Sequence, residues 1–313
     1  MHILITGGLG FIGSHLTAKL LSDGHKVVVI DSGVFSSDYL RQTRCLTHKR
    51  LKVIKGDVRQ SIHISRGEID QIYHLACVAD PDVFLHNQER TFSTTVLGTY
   101  AALNAARKAG IPILIASSSE IYGTDVASEL YETMNGSVST FSSRACYAEG
   151  KRAGETISFI MREMGNDVRV VRIFNCYGPG MRPDDGRVIT RFIYEALRDE
   201  PLILFGGGRQ TRSFCYVDDT VDGLIAVMRG EVSLPLPVNL GNPNEEHTIA
   251  TMAKKIIRMT GSRSRVVKAG LRPEDTAKRK PCIDLISSMY NWKPTISLDE
   301  GLEKTIAWYR TIL

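Results

Sequence analysis

Between residues 2 and 31 the chain spells out a strand, a glycine-rich turn, a helix and a second strand, an order that fits few folds. His2-Ile3-Leu4-Ile5-Thr6 is a short apolar run with a β-branched bias, which suits a buried strand. Gly7-Gly8-Leu9-Gly10-Phe11-Ile12-Gly13-Ser14-His15 follows, then Leu16, Leu20 and Leu21 at helical spacing, with a stop at Asp23-Gly24. Lys26 to Asp31 is a second buried strand that ends in a carboxylate. Together these make a βαβ unit. Its small residues let the backbone approach a pyrophosphate, and the helix N-terminus offers unpaired N–H groups and a positive dipole end. Asp31 lies 18 positions after Gly13, where it can accept from both ribose hydroxyls and would repel a 2′-phosphate. The expected ligand is NAD rather than NADP, with Gly7, Gly10, Phe11, Ile12, Gly13 and Asp31 as its contacts.

The alternation continues. Leu51 to Asp57 is strand-like, and Asp57-Val58 at its end is placed for the adenine. Ile69 to Cys77 predicts another strand, closing on His74-Leu75-Ala76-Cys77. A long helix is expected over about 89–109, ended by Gly110 and Pro112. Ile113 to Ser117 is the next strand and runs into Ser118-Ser119-Glu120-Ile121-Tyr122-Gly123; residues 124–143 are polar and turn-rich, a loop over the site. Val168 to Phe174 is one more strand, ending Asn175-Cys176-Tyr177-Gly178-Pro179. Strands separated by helices imply an α/β fold, a Rossmann-type doubly wound parallel sheet with its ligand at the carboxyl ends. Beyond 179 the runs shorten, with Leu202–Phe205, Cys215–Val217 and Val238–Leu240 as strand candidates. The expected division is a dinucleotide-binding part over 1–178 and a smaller α/β, mainly substrate-binding part over 179–313, some of it returning to the sheet.

The rest of the composition excludes more than it suggests. A net charge of +5 is too mild to argue for nucleic acid, although an anionic small ligand would explain a local basic excess. The six cysteines form no Cys-x-x-Cys pair and no framework, so free thiols in a reducing compartment are expected. Eight histidines lie scattered without ligand spacing, so no metal is expected. There is no secretory leader pattern and no apolar run near ~18 residues, so the chain is expected to be soluble and cytoplasmic, away from membranes.

Tyr147 and Lys151 stand four residues apart, so on a helix they share one face. A fixed ammonium beside a phenol favours the phenolate and would draw the Tyr147 pKa from its usual ~10 towards neutrality. Tyr147 is thus a candidate acid/base for an alcohol. Cys146 beside it has no His/Asp partner pattern and is expected to be a packed free thiol.

Taken together, the chain resembles the extended short-chain dehydrogenase/reductase family, in its nucleotide-sugar-modifying branch. The resemblance covers nearly the whole length: Gly7-x-x-Gly10-x-x-Gly13, Asp31, Asp57-Val58, Leu75-Ala76, Ser117 to Gly123, Tyr147 with Lys151, Asn175-x-Tyr-Gly-Pro179, Gln210 to Phe214, and Tyr216 to Asp219. Within the branch it looks most like the UDP-glucuronate decarboxylases, through Ser117 to Gly123, Arg144 to Arg152, Asp185-Gly-Arg-Val188 and Lys278-Arg279-Lys280-Pro281. That resemblance implies oxidation of the sugar at C4 by tightly held NAD⁺, loss of the C5 carboxylate as CO₂, and return of the hydride. It implies that Tyr147 takes the 4-hydroxyl proton, that Lys151 tunes Tyr147 and holds the nicotinamide ribose, and that Ser118 shares the hydrogen bond to the sugar oxygen. Leu75 and Ala76 join the cofactor contacts. Glu120 and Arg279 match residues that position the carboxylate and manage protonation at C5. Arg212 and Arg272 suit the diphosphate, and Asn175 and Arg187 the nucleotide sugar.

Three places depart from the family's pattern near the sugar: Gly180 for a common Arg, Ser139-Thr140 for Asn-Pro, and the loop Val78-Ala-Asp-Pro-Asp82. They bear on the substrate's identity more than on the chemistry class. Because related enzymes share the Ser/Tyr/Lys set, a nucleotide-sugar 4-epimerase and a 4,6-dehydratase stay open as alternatives, with a non-catalytic NAD sensor or scaffold as a third, against which the intact set argues. Relatives pair through helices, so a homodimer is expected, formed by the Tyr147 helix and its neighbour at about 89–109.

Overall fold

A computed structural model describes residues 1–34, 36–60, 62–124, 129–231, 236–270 and 276–313. The strands in chain order are β1 (His2–Thr6), β2 (Lys26–Asp31), β3 (Leu51–Lys55), β4 (Gln71–His74), β5 (Ile113–Ser118), β6 (Glu129–Leu130) and β7 (Val168–Ile173). They continue with β8 (Asn175–Tyr177), β9 (Leu202–Phe205), β10 (Thr211–Tyr216), β11 (Val238–Leu240), β12 (Glu246–Thr248), β13 (Val266–Ala269) and β14 (Lys280–Pro281). Seven of them form one parallel sheet in the spatial order β11-β7-β5-β4-β1-β2-β3. The order reverses beside β1, which opens a crevice at the carboxyl ends of β1 and β4.

Alternation along β1 explains why both faces are covered. Successive side chains point to opposite sides of a sheet. Ile3 and Ile5 join Leu16 and Leu20 of α1 (Phe11–Ser22) in one core cluster, whereas Leu4 joins Ala102, Leu103 and Ala106 in the other. Those alanines belong to the long helix that follows two short ones, α2 (Tyr39–Gln42) and α3 (Pro81–His86). The long helix, α4 (Gln88–Ala109), stops at Gly110, whose φ of 70° is left-handed. Against it packs α5 (Ala145–Glu163), the helix that carries Tyr147 and Lys151. Gly150 and Gly154, one turn apart on α5, face Thr95 and Thr99 of α4; a Cβ at Gly150 would lie 3.1 Å from that of Thr95. Two small residues at this spacing let the helices meet closely and fix how far Tyr147 projects into the crevice.

The later segments build three small sheets: β12-β10-β8, β13-β9 and β14-β6. Two expectations are revised. The strand foreseen at Cys215–Val217 begins earlier, at Thr211, and Val217 opens a helix (Val217–Arg229), where Asp218 and Asp219 suit the positive first turn. Within the expected loop 124–143, Glu129-Leu130 pairs in parallel with Lys280-Pro281, which draws Arg279 to the site.

Replacing Gly150 by Val should push α5 off α4 and cost about 1–3 kcal/mol, the range for overpacking a tight contact. Chemical denaturation of the variant against the parent measures this, and an unchanged midpoint would show that the helices do not rely on the small residue.

Candidate active site

A single cavity of about 450 Å³ runs from the glycine turn after β1 to the ends of β8, β9 and β10. Gly7, Gly10, Phe11, Ile12, Gly13, Asp31, Asp57, Val58, Leu75 and Ala76 line it at one end. The turn admits no larger residue at two points. Gly7 has φ +75° and a Cβ there would lie 2.7 Å from Ala76 Cα, while a Cβ on Gly13 would meet the Gly7 carbonyl oxygen at 2.1 Å. Gly10 caps α1 without a side-chain bond, so the first-turn N–H groups face the cavity end. Asp31, closing β2, accepts from the backbone N–H of Leu9 at 3.0 Å and of Gly33 at 2.9 Å, which aims its carboxylate. Asp57 is gripped by Arg59 at 2.6 Å, and that side-chain bond holds its carboxyl below the usual range. A bare-backbone cradle, a helix N-terminus and an aimed carboxylate fit a dinucleotide diphosphate with a free ribose.

Mid-cavity, β5 delivers Ser118 and α5 delivers Tyr147 and Lys151, all buried. The Tyr147 hydroxyl lies beside Ser118, close enough for that side chain to favour the phenolate. Lys151 Nζ donates to the Ala116 carbonyl at 2.6 Å and lies 5.8 Å from the centroid of the Tyr147 ring. The expected lowering of the Tyr147 pKa is not what the geometry gives. Burial raises it above 10, the neighbouring Cys77 adds to the rise, and the bond from Ser118 offsets only part. The ammonium donates to a backbone carbonyl, one turn down the helix, and stands over the Tyr147 ring. Beneath them His74 is fully enclosed between Thr6 (2.7 Å) and Thr99 (3.3 Å), and burial followed by the Lys151 charge lowers its pKa to about 3, so the ring is neutral.

Glu120 follows on the turn after β5, its backbone N–H bonded to Ser118 Oγ at 3.2 Å. Burial works against its charge, yet Arg279 and then Arg144 outweigh it, with Arg212 adding to them, and the pKa falls to about 2. Arg144 Nη2 donates to Oε2 at 3.0 Å, and Arg279 Nη1 stands 3.5 Å from Oε1. Arg279 is not on the cavity wall. It sits 3 % exposed behind Glu120 and donates to the Ser119 carbonyl (2.6 Å), the Gly123 carbonyl (3.1 Å) and Thr276 Oγ1 (2.8 Å).

At the far end Asn175 and Arg187 line the wall, with Arg187 bonded to Asp185 at 2.7 and 2.5 Å. Arg212 lines it too and donates to the Thr211 and Thr276 carbonyls. Arg272 lies outside the described residues. Gly180, at φ +84°, leaves its side-chain space to Ser37 and Tyr39, whose Oγ and Cβ stand 2.8 Å from where a Cβ would be; Tyr39 is stacked on His15 at 3.7 Å.

The NAD dependent epimerase/dehydratase family matches residues 3–241. The chain belongs to that family. It is 43 % identical over 309 residues to UDP-glucuronic acid decarboxylase 1 of Xenopus tropicalis, covering 98 % of this chain and 72 % of that one. It is 40 % identical over 303 residues to UDP-glucuronic acid decarboxylase 6 of Arabidopsis thaliana, covering 96 % and 87 %. Among solved structures, the UDP-glucuronic acid 4-epimerase of Bacillus cereus, in complex with UDP-glucuronic acid and NAD, superposes with a TM-score of 0.89 at 25 % identity over the full length of both chains.

For a member of this epimerase/dehydratase family, the wall residue that spacing alone does not single out is Arg144. It stands three positions before Tyr147, and the position i−3 on a helix shares a face with i. That offset is the signal that could have found it. Among the described residues no helix is long and apolar enough to cross a membrane.

Because the Glu120 pKa is depressed, the stability it contributes is complete above its ordinary 4.5 and is lost as pH falls towards 2. Arg279→Met leaves the carboxylate and two backbone carbonyls short of a partner and should cost about 3 kcal/mol at neutral pH. The gap between variant and parent should narrow between about pH 5 and 3, as the variant's Glu120 takes up its proton first. Urea denaturation at both pH values measures it; a gap that does not depend on pH would remove Glu120 from the account.

Proposed function

We propose that this chain is an NAD-dependent decarboxylase of UDP-glucuronate. The observation that carries the reading is the shared cavity: a Tyr147–Ser118 pair at the end of the dinucleotide cradle, with an ionised Glu120 between guanidiniums beside it. Relatives about 40 % identical bear the same activity in their names.

NAD⁺, when bound, would supply the acceptor and later the donor of the C4 hydride, and its positive charge would favour the Tyr147 phenolate. Tyr147 takes the proton of the 4-hydroxyl as the hydride leaves C4, and Ser118 holds the same oxygen. Lys151, anchored on Ala116, is set to hold the nicotinamide ribose. The new 4-ketone is β to the carboxylate, so the bond from C5 to the carboxyl carbon breaks, CO₂ departs and the electron pair moves onto the C4 oxygen. Tyr147 and Ser118 steady that enolate. Water protonates the enolate at C5, its electron pair forming the new C–H bond and restoring the 4-ketone; Tyr147 then gives its proton back to the C4 oxygen as C4 regains its hydride, which yields UDP-xylose. Glu120 enters as an ion, so it orients the donor at C5 instead of being it, and Arg279 behind it fixes its position. Asn175, Arg187 and Arg212 are assigned to the nucleotide sugar. Residues 1–178 then mainly serve the dinucleotide and 179–313 the sugar nucleotide. Six free cysteines suit a reducing, cytoplasmic setting.

Incubation with UDP-glucuronate should release CO₂ and give a product lighter by that mass; a product of equal mass with C4 inverted would replace this reading by epimerisation. Tyr147→Phe should abolish reduced-nicotinamide absorbance on adding substrate. Wild-type absorbance growth in that variant would overturn the acid/base assignment. The exposed stripe Phe92, Leu97 and Tyr100 on α4, beside Phe159 and Ile160 on α5, supports a homodimer through these helices. Tyr100→Glu with Phe159→Glu should sediment as a monomer, whereas an unchanged dimer would place the interface elsewhere.

A further inference from the structure

Of the two arginines on Glu120, one is enclosed and the other lines the cavity. Arg279 is enclosed, and three of its bonds go to the Ser119 and Gly123 carbonyls and Thr276. Arg144 lines the cavity with about a quarter of its side chain exposed. Its guanidinium lies 5.4 Å above the Phe84 ring, and Phe84 is stacked on Tyr147 at 5.2 Å with an interplanar angle of 6°. Its carbonyl accepts from the N–H groups of Tyr147 (3.1 Å) and Ala148 (3.2 Å). Arg144 and Tyr147 therefore both pack on Phe84, which sets the distance between the cation and the phenol.

That distance matters because of where a uronate carries its charge. The carboxyl group hangs on C5, next to the carbon whose oxygen meets Tyr147. It must come to rest within a few ångströms of the phenol, on the side where Glu120 stands. Two carboxylates there repel unless a cation lies between them. A guanidinium fork, with five donors in one plane, can meet two carboxylates at once, as an ammonium cannot in the same geometry.

We propose that Arg144 is the specificity-determining residue of this site: it binds the substrate's carboxylate and bridges it to Glu120. The inference rests on the proposed uronate substrate. It also accounts for the division of labour between the two arginines. Arg279 keeps Glu120 in place throughout, while Arg144 divides its bonds between Glu120 and the substrate until CO₂ leaves.

Titrating the NAD-loaded protein with UDP-glucuronate and with UDP-xylose, which lacks the carboxylate, tests this by calorimetry. Arg144→Gln should weaken UDP-glucuronate about 10- to 100-fold, the loss expected for charge-assisted hydrogen bonds, and leave UDP-xylose nearly unchanged. Arg144→Lys should recover part of the uronate affinity, and KM should rise more than kcat falls. Equal weakening of both ligands, or undiminished uronate binding, would overturn the proposal. Should Arg144→Gln not fold, the same two titrations of Arg144→Lys decide it: a loss confined to the uronate supports it, and an equal loss of both refutes it. CO₂ release is scored separately. Uronate binding that depends on Arg144 without CO₂ release would sink the decarboxylase reading and leave the assignment of Arg144 standing.

Discussion

The close approach of α5 to α4 is the constraint on which the rest of the site depends. Gly150 and Gly154 leave no side chain between the helices, so α5 lies against Thr95 and Thr99. From that seat Lys151 reaches under β5 to the Ala116 carbonyl, and Tyr147 reaches the Ser118 hydroxyl. A larger residue at 150 would move both side chains together, because they ride the same helix face. The catalytic geometry is therefore a property of helix packing first and of side-chain choice second. The neutral His74 beneath is part of the same floor: Thr6 of β1 and Thr99 of α4 both bond it, so it ties the helix to the sheet without adding a charge below the lysine.

Burial acts on two acids in the cavity and the outcomes diverge. For Tyr147 desolvation outweighs the help of Ser118 and the Arg187 charge, and it keeps its proton on. Glu120 is also penalised by burial, but Arg279 and Arg144 reverse the sign. Two titratable groups pushed apart in this way take different roles at neutral pH. The phenol is a proton carrier that waits for a positive charge beside it. The carboxylate is a fixed anion.

The local parts of this arrangement are legible in the sequence. Gly7, Gly10, Gly13 and Asp31 lie within one βαβ unit, where the clash of a Gly13 Cβ with the Gly7 carbonyl and the Leu9 N–H on the Asp31 carboxylate stay inside the unit, whereas the clash at Gly7 is with the distant Ala76. Tyr147 and Lys151 are legible as a helical interval. Their electrostatics are not, because these depend on Cys77 and on the direction of the ammonium, which only the fold fixes. The same holds for the arginines. Arg144 meets Glu120 from 24 residues away and Arg279 meets Ser119 from 160 away. A motif names Arg279 but cannot show that it stands behind its partner and off the cavity wall. Gly180 is similar: its departure from the family's pattern is visible in the sequence, yet that Ser37 and Tyr39 take up the space is a tertiary fact.

This separation explains how one scaffold can serve several reactions on nucleotide sugars. The pair that removes hydride and proton from C4 sits on α5 and β5, and nothing in its geometry refers to C5. Whatever happens at C5 is decided one turn away, by the charge beside Glu120. With both arginines engaged, Glu120 is held as an anion near neutral pH, and a second carboxylate beside it meets like charge. A substrate carboxylate can enter only by sharing a guanidinium, and Arg144 is the one of the two flanking arginines on the cavity wall. The anion that Glu120 provides and the cation that Arg144 provides are thus a single element. It admits a uronate with its charge neutralised, and it leaves Tyr147 free to do the same chemistry that it would do on any C4 alcohol.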